Sequence, residues 1–77
     1  MINPDAPEPV YVQLAEIIGG KIKAGELAGR LASERALAVE YGVSYGSMRH
    51  AMELLREQGL VRSVHGRGTF AVPPSGI

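Results

Sequence analysis

From Pro9 onward the chain carries apolar residues at Val10, Leu14, Ile17, Ile18 and Ile22. Intervals of three and four residues place such side chains along one stripe of a helix. Proline suits the start, where its missing N–H has no partner in any case, and Gly25 marks the stop. Gly19 and Gly20 interrupt this helix at a cost of about 1 kcal/mol each relative to alanine. Either close packing against another element or a weak helix would account for them. Ser33 offers a hydroxyl as N-cap to a second, brief helix carrying Leu37, Ala38 and Tyr41, with Glu34 in the first turn where a carboxylate favours the helix dipole. Gly42 is placed to end that helix in the left-handed conformation, and Val43 plugs the gap behind it. Ser44 then caps a third helix, whose Met48, Ala51, Met52 and Leu55 share one face until Gly59. The pattern is helix, four-residue turn, helix.

Past Gly59 the period changes. Residues 61–64 and 69–72 alternate as short extended segments joined by the tetrapeptide HGRG, a hairpin with a cationic tip. Arg30 and Leu31 can add a very short strand. The predicted fold class is mainly α with a small β-hairpin: three helices plus a two- to three-stranded antiparallel wing, the layout of a winged helix-turn-helix. Residues 1–8, with Pro4 and Pro7 and no apolar period, are expected to be a mobile arm; residues 9–72 form the domain, and residues 73–77 begin a linker or tail.

Composition narrows the chemistry. A chain of 77 residues supports one domain with a thin core and little room for a catalytic cleft. The absence of cysteine removes disulfides, thiol nucleophiles and thiolate zinc sites, and two histidines alone argue against a metal centre. No nucleophile, base and orienting group cluster in the sequence, so neither an enzyme nor a cofactor is expected. No apolar run nears the ~20 residues that span a bilayer, and the acidic, proline-containing start is unlike a targeting signal. The expectation is a soluble, cytoplasmic protein. Formal net charge is zero, but it is unevenly spread. Through Gly29, two lysines face four carboxylates, leaving −2; from Arg30 onward, six arginines face four glutamates, leaving +2. All the arginines, whose planar fork suits phosphates and guanine edges, lie in the second segment.

Three stretches in order, PVYVQLAEII, ASERALAVEYGVSYGSMRHAMELLREQGLV and VHGRGTFA, resemble the amino-terminal DNA-binding domain of GntR-family bacterial transcription regulators. The resemblance spans residues 9–72. It implies binding of double-stranded operator DNA, usually an inverted repeat, by a dimer, with the third helix in the major groove and the wing tip in the adjacent minor groove. Carried over by position, it assigns Ser33, Glu34 and Arg35 to the start of the second helix, where Arg35 and backbone amides would meet phosphate. It assigns Ser44, Tyr45, Gly46, Ser47 and Arg49 to the exposed beginning of the recognition helix. His65, Gly66, Arg67 and Gly68 fall at the wing tip, and Thr69 at its return. Elementary chemistry agrees: hydroxyls and free N–H groups at a helix start suit phosphate, and a cation on a glycine-rich tip suits a narrow minor groove.

Each position also has a plainer use. Ser33 and Ser44 serve as caps, and Gly66 and Gly68 suit a type I′ turn, which needs positive φ. Tyr41, Met48, Met52 and Phe70 are expected in the core. Arg56 and Arg62 are either solvated or close to phosphate, and Tyr11 either packs on the core or approaches the DNA backbone. The chain departs from the family pattern at Tyr45, usually arginine, and Gly46, usually threonine. Ala32 stands for the proline before the cap, and Ala36 for the glutamate of a capping box. The preferred operator should therefore differ from the commonest one, and affinity should be modest. Family members continue into a domain that binds a small effector and supplies the dimer interface. Here the sequence ends after PPSG, so the expectation is a domain cut from a longer regulator, with only weak dimerisation on its own. The rival function is a winged helix that binds proteins rather than DNA.

Overall fold

Pro9 stands at the N-cap of α1, which runs Val10–Lys23 in a computed structural model that describes residues 2–74. Residues 75–77 of the expected linker lie outside the described residues. Helix α2 spans Glu34–Tyr41 and α3 spans Tyr45–Glu57, so the turn between them is residues 42–44, three residues where four were expected. Tyr45, directly after the Ser44 cap, is already the first residue of α3, which shortens the turn by one.

All three helices stop in the same way. At the end of α2, Gly42 takes φ +67° and ψ +35°, its N–H donates to the Val39 carbonyl, and the Val43 N–H reaches back to the Ala38 carbonyl at 3.0 Å. A residue with a Cβ is strained in that conformation. The corresponding long bonds at the ends of α1 and α3 run from Glu26 to Lys21 at 2.8 Å and from Leu60 to Leu55 at 2.9 Å, across Gly25 and Gly59. Each bond turns the chain sharply enough to return the next element to the core.

That core draws Leu14, Ile18 and Ile22 from α1, Leu37 and Ala38 from α2, and Met48, Ala51, Met52 and Leu55 from α3. Leu31, Val61 and Ala71 close it from the hairpin side. Val10 and Ile17, also placed on the apolar stripe, are half-buried at its edge. Tyr41 packs against the core from outside, and Phe70 is half-buried. The buried polar residue Gln13 contacts the segment expected to be an arm. Its Oε1 accepts from the Asn3 N–H at 2.7 Å, and its Nε2 donates to the carbonyls of Asn3 (2.8 Å) and Glu8 (2.9 Å). Ile2 packs against the core beside it. The segment before α1 is thus tied down at both ends by one side-chain amide.

The hairpin pairs β1, Val61–Val64, with β2, Gly68–Ala71, antiparallel from Val61↔Ala71 to Val64↔Gly68. The second strand begins one residue earlier than the sequence suggested. Arg30 adds an isolated bridge to Phe70, flanked by Leu31 N–H to Thr69 O at 2.9 Å and Ala71 N–H to Gly29 O at 2.8 Å. The wing is therefore two strands with one bridging residue pair as the beginning of a third. Among the described residues no helix is long and apolar enough to cross a membrane.

The two adjacent glycines of α1 have opposite causes. A Cβ on Gly19 would lie 3.1 Å from Leu60 Cδ1 and 3.2 Å from Leu55 Cδ2, so this glycine lets α3 and the turn that leads into β1 approach closely. A Cβ on Gly20 would meet nothing within 4 Å. Gly20→Ala is accordingly expected to stabilise the fold by about 0.5–1 kcal/mol, raising the thermal midpoint by roughly 2–8 °C. Thermal denaturation followed by circular dichroism checks this; an unchanged or lowered midpoint would mean that the position is not open helix surface.

Candidate nucleic-acid interface

Two helix starts and the wing meet on one side of the molecule. At the first start the Ser33 hydroxyl accepts from the Ala36 N–H at 3.1 Å. At the second, the Ser44 hydroxyl accepts from the Ser47 N–H and donates to the Ser47 hydroxyl, both at 3.0 Å. The two serines cap because helix starts leave N–H groups without intrahelical partners. Gly46 has no neighbour within 4 Å of where a Cβ would stand, so the first turn of α3 is open to a large partner. Arg49 is exposed one turn further on, on the same helix face as Tyr45, and borders a shallow recess with Gly46, His50 and Glu53.

The wing tip is a three-residue loop. Arg67 N–H donates to Val64 O at 2.9 Å, closing a turn with Gly66 in third position at φ +75°. No non-glycine among the described residues has positive φ, so His65 in second position is negative. The turn is of type II form rather than the type I′ considered from sequence, and it requires glycine only at Gly66. Gly68, at φ +110°, begins the return strand. His65, Gly66, Arg67 and Gly68 are all exposed, while Thr69 is half-buried.

A chain of polar contacts ties this hairpin to the helices. Arg56 Nη2 pairs with Glu34 Oε2 at 3.3 Å, and its Nε donates to the Ser63 hydroxyl at 2.8 Å. Ser63 Oγ in turn lies 3.4 Å from Thr69 Oγ1. Arg56, which sequence left open, thus bridges α2, α3 and both strands. Glu34, singled out as a contact residue, has its charge compensated by Arg56 instead of facing outward alone. Arg62 is exposed. Tyr11 both packs against the core and stacks on His50, ring centroids 3.6 Å apart and planes within 4°.

An open cleft runs between the start of α2 and the wing. Of the residues named from sequence, Ser33, Glu34, Arg35, Tyr45, Arg56, His65, Gly66, Gly68 and Thr69 border it; Gly46 and Arg49 border the recess with His50 and Glu53, Ser44 and Ser47 border another with Val10, Tyr41 and Val43, and Arg67 is exposed in the wing loop. Arg30 borders the cleft as well and was missed as a site residue. Its Nε would lie 3.2 Å from a Cβ on Gly68, so its guanidinium rests against the wing backbone. The available signal was its pairing with the hairpin, because a side chain on the bridging segment has to emerge beside the wing.

The model for bacterial regulatory proteins of the gntR family matches residues 10–71. The HTH-type transcriptional repressor NagR of Bacillus subtilis (strain 168) is 40% identical over 75 residues, covering 95% of this chain and 31% of that protein. The chain thus spans just under a third of this curated relative. The DNA-binding domain of AraR, solved in complex with operator ORX1, superposes with a TM-score of 0.79 at 33% identity, over 94% of this chain and 92% of that one. YtrA from Sulfolobus acidocaldarius, a GntR-family transcription factor, gives a TM-score of 0.83 at 29% identity, over 100% and 81% of the two chains. With the family match spanning all three helices and the hairpin, and with the same winged architecture in these neighbours, the chain belongs to the gntR family of bacterial regulatory proteins and has the form of its winged helix-turn-helix DNA-binding domain.

Proposed function

We propose that this chain reads a specific duplex operator in the cytoplasm and represses transcription by occupying it, two copies meeting an inverted repeat. The observation that carries the reading is the single open face on which the start of α3 and the wing tip stand to either side of the α2 start. In this reading α3 enters the major groove, where Arg49 reaches a guanine edge or a phosphate. Ser44, Tyr45, Gly46 and Ser47 line its leading turn, with the serine hydroxyls and the free N–H groups facing the backbone and the Tyr45 ring beside Arg35. Ser33 and Arg35 meet phosphate from α2, with Glu34 acting through Arg56. His65, Gly66, Arg67 and Gly68 enter the minor groove, where glycine lets the backbone approach and the cation gains from the concentrated negative potential; Thr69 supports the return. An effector would need a further domain.

The test is the salt dependence of binding to duplexes recovered by selection from a randomised library. Neutralisation of phosphates by Arg30, Arg35, Arg49 and Arg67 gives an expected slope of log K against log salt of roughly −3 to −4 for each bound copy. A slope near zero, or no duplex recovered, would favour a protein-binding winged helix instead.

A further inference from the structure

Resting on that DNA-binding reading, we infer that Tyr45 is a positioning residue for Arg35, its ring holding the guanidinium edge-on toward a backbone phosphate at the mouth of the cleft. The Arg35 Cζ lies 4.4 Å from the centroid of the Tyr45 ring, and both side chains border the cleft. Tyr45 is the first residue of α3 and Arg35 lies in the first turn of α2, so the contact crosses the helix-turn-helix corner. Tyr45 is 38% exposed, a large hydrophobic residue that the core does not use. The one ion pair among the described residues joins Arg56 to Glu34. The carboxylate next to Arg35 in sequence is therefore taken, and the charge of Arg35 is not cancelled within the fold.

The geometry gives the ring a function. A guanidinium binds phosphate through N–H donors in its own plane, while its faces are weakly hydrated and stack well on aromatics. Stacking on Tyr45 occupies a face and leaves the donor edges available. A long arginine normally loses much rotamer freedom when it docks on a phosphate. With the ring beneath it, much of that loss is incurred at folding, before DNA arrives. It is the ring that makes the contact, so the hydroxyl is dispensable and Tyr45→Phe is the conservative variant.

Tyr45→Ala, Tyr45→Phe and Arg35→Ala, singly and with the two alanine changes combined, test this in two ways. Without DNA, the Arg35 δ-methylene protons should be shifted upfield by the ring current in the wild type and in Tyr45→Phe, and should return to ordinary values in Tyr45→Ala. With a duplex selected by the wild-type chain, Tyr45→Phe should bind within twofold of wild type. Tyr45→Ala should bind about two- to fivefold more weakly, the usual range for an exposed cation–π contact. It should leave the salt slope unchanged, because no charge is lost, whereas Arg35→Ala should lower the slope by about one for each bound copy. In the Arg35→Ala background, Tyr45→Ala should cost nothing further. An unshifted Arg35 spectrum would overturn the inference whatever the DNA does. An equal penalty in the Arg35→Ala background would also overturn it, by making Tyr45 a DNA contact in its own right. If the wild type binds no duplex, the DNA reading fails by itself, and the ring-current result still decides whether Tyr45 holds Arg35.

Discussion

Replacing Arg49 and Arg67 together with alanine is expected to reduce affinity for a selected operator by roughly 30-fold to 10⁴-fold. Each arginine that reaches a base edge contributes about 1–3 kcal/mol of discrimination. The two stand on separate elements, α3 and the wing loop, and share no bonded partner among the described residues, so their effects should nearly add. Both are exposed, so the double variant should keep the wild-type melting profile. Because two cations are removed from each copy, the slope of log K against log salt should fall by about two for each bound copy. Footprinting of the single variants separates the roles: Arg49→Ala should lose protection in the major groove and Arg67→Ala in the minor groove. Affinity unchanged by both substitutions would refute the assignment of these residues while leaving the fold as described.

The second large effect concerns stability. Leu55 is fully buried on α3, and its Cδ2 occupies the space that a Cβ on Gly19 would approach to 3.2 Å. Leu55→Ala removes the side chain around which α1 and α3 close, and is expected to cost about 2–5 kcal/mol. A domain of this size has a total of only roughly 4–12 kcal/mol to lose. The variant should therefore lose a large share of that stability, and urea denaturation should give a much lower midpoint. Val39→Ser, at a side chain that is 83% exposed, is the surface control and should shift stability by no more than ~0.5 kcal/mol. Equal midpoints for the two variants would contradict the packing of α1 on α3.

The helix boundaries were legible because their causes are local. Ser33 and Ser44 cap within their own first turns, and Gly42 supplies a left-handed stop wherever its neighbours lie. The change of period after Gly59 marked the hairpin for the same reason. What escaped the sequence depends on residues far apart in the chain. Glu34 and Arg56 are 22 positions apart, and nothing in either helix taken alone pairs them. Gly19 and Gly20 are the same residue in the same helix, yet one faces Leu55 and Leu60 and the other faces solvent. The clamp of Gln13 on Asn3 and Glu8 was hidden because a polar residue beside an apolar stripe gives no sign of what it will bind. In the candidate site, the cationic tip and the serine-led helix starts were visible as composition. The resting place of Arg30 against Gly68 required the bridge to be seen in three dimensions.

The run of contacts from Glu34 through Arg56 and Ser63 to Thr69 means that the hairpin is no pendant finger. It is braced against the body like one jaw of a calliper whose other jaw is α3. In the proposed DNA-binding reading the gap between the jaws is set when the chain folds, so a duplex would have to fit that gap, and twist or groove width would enter selectivity without contact to a base.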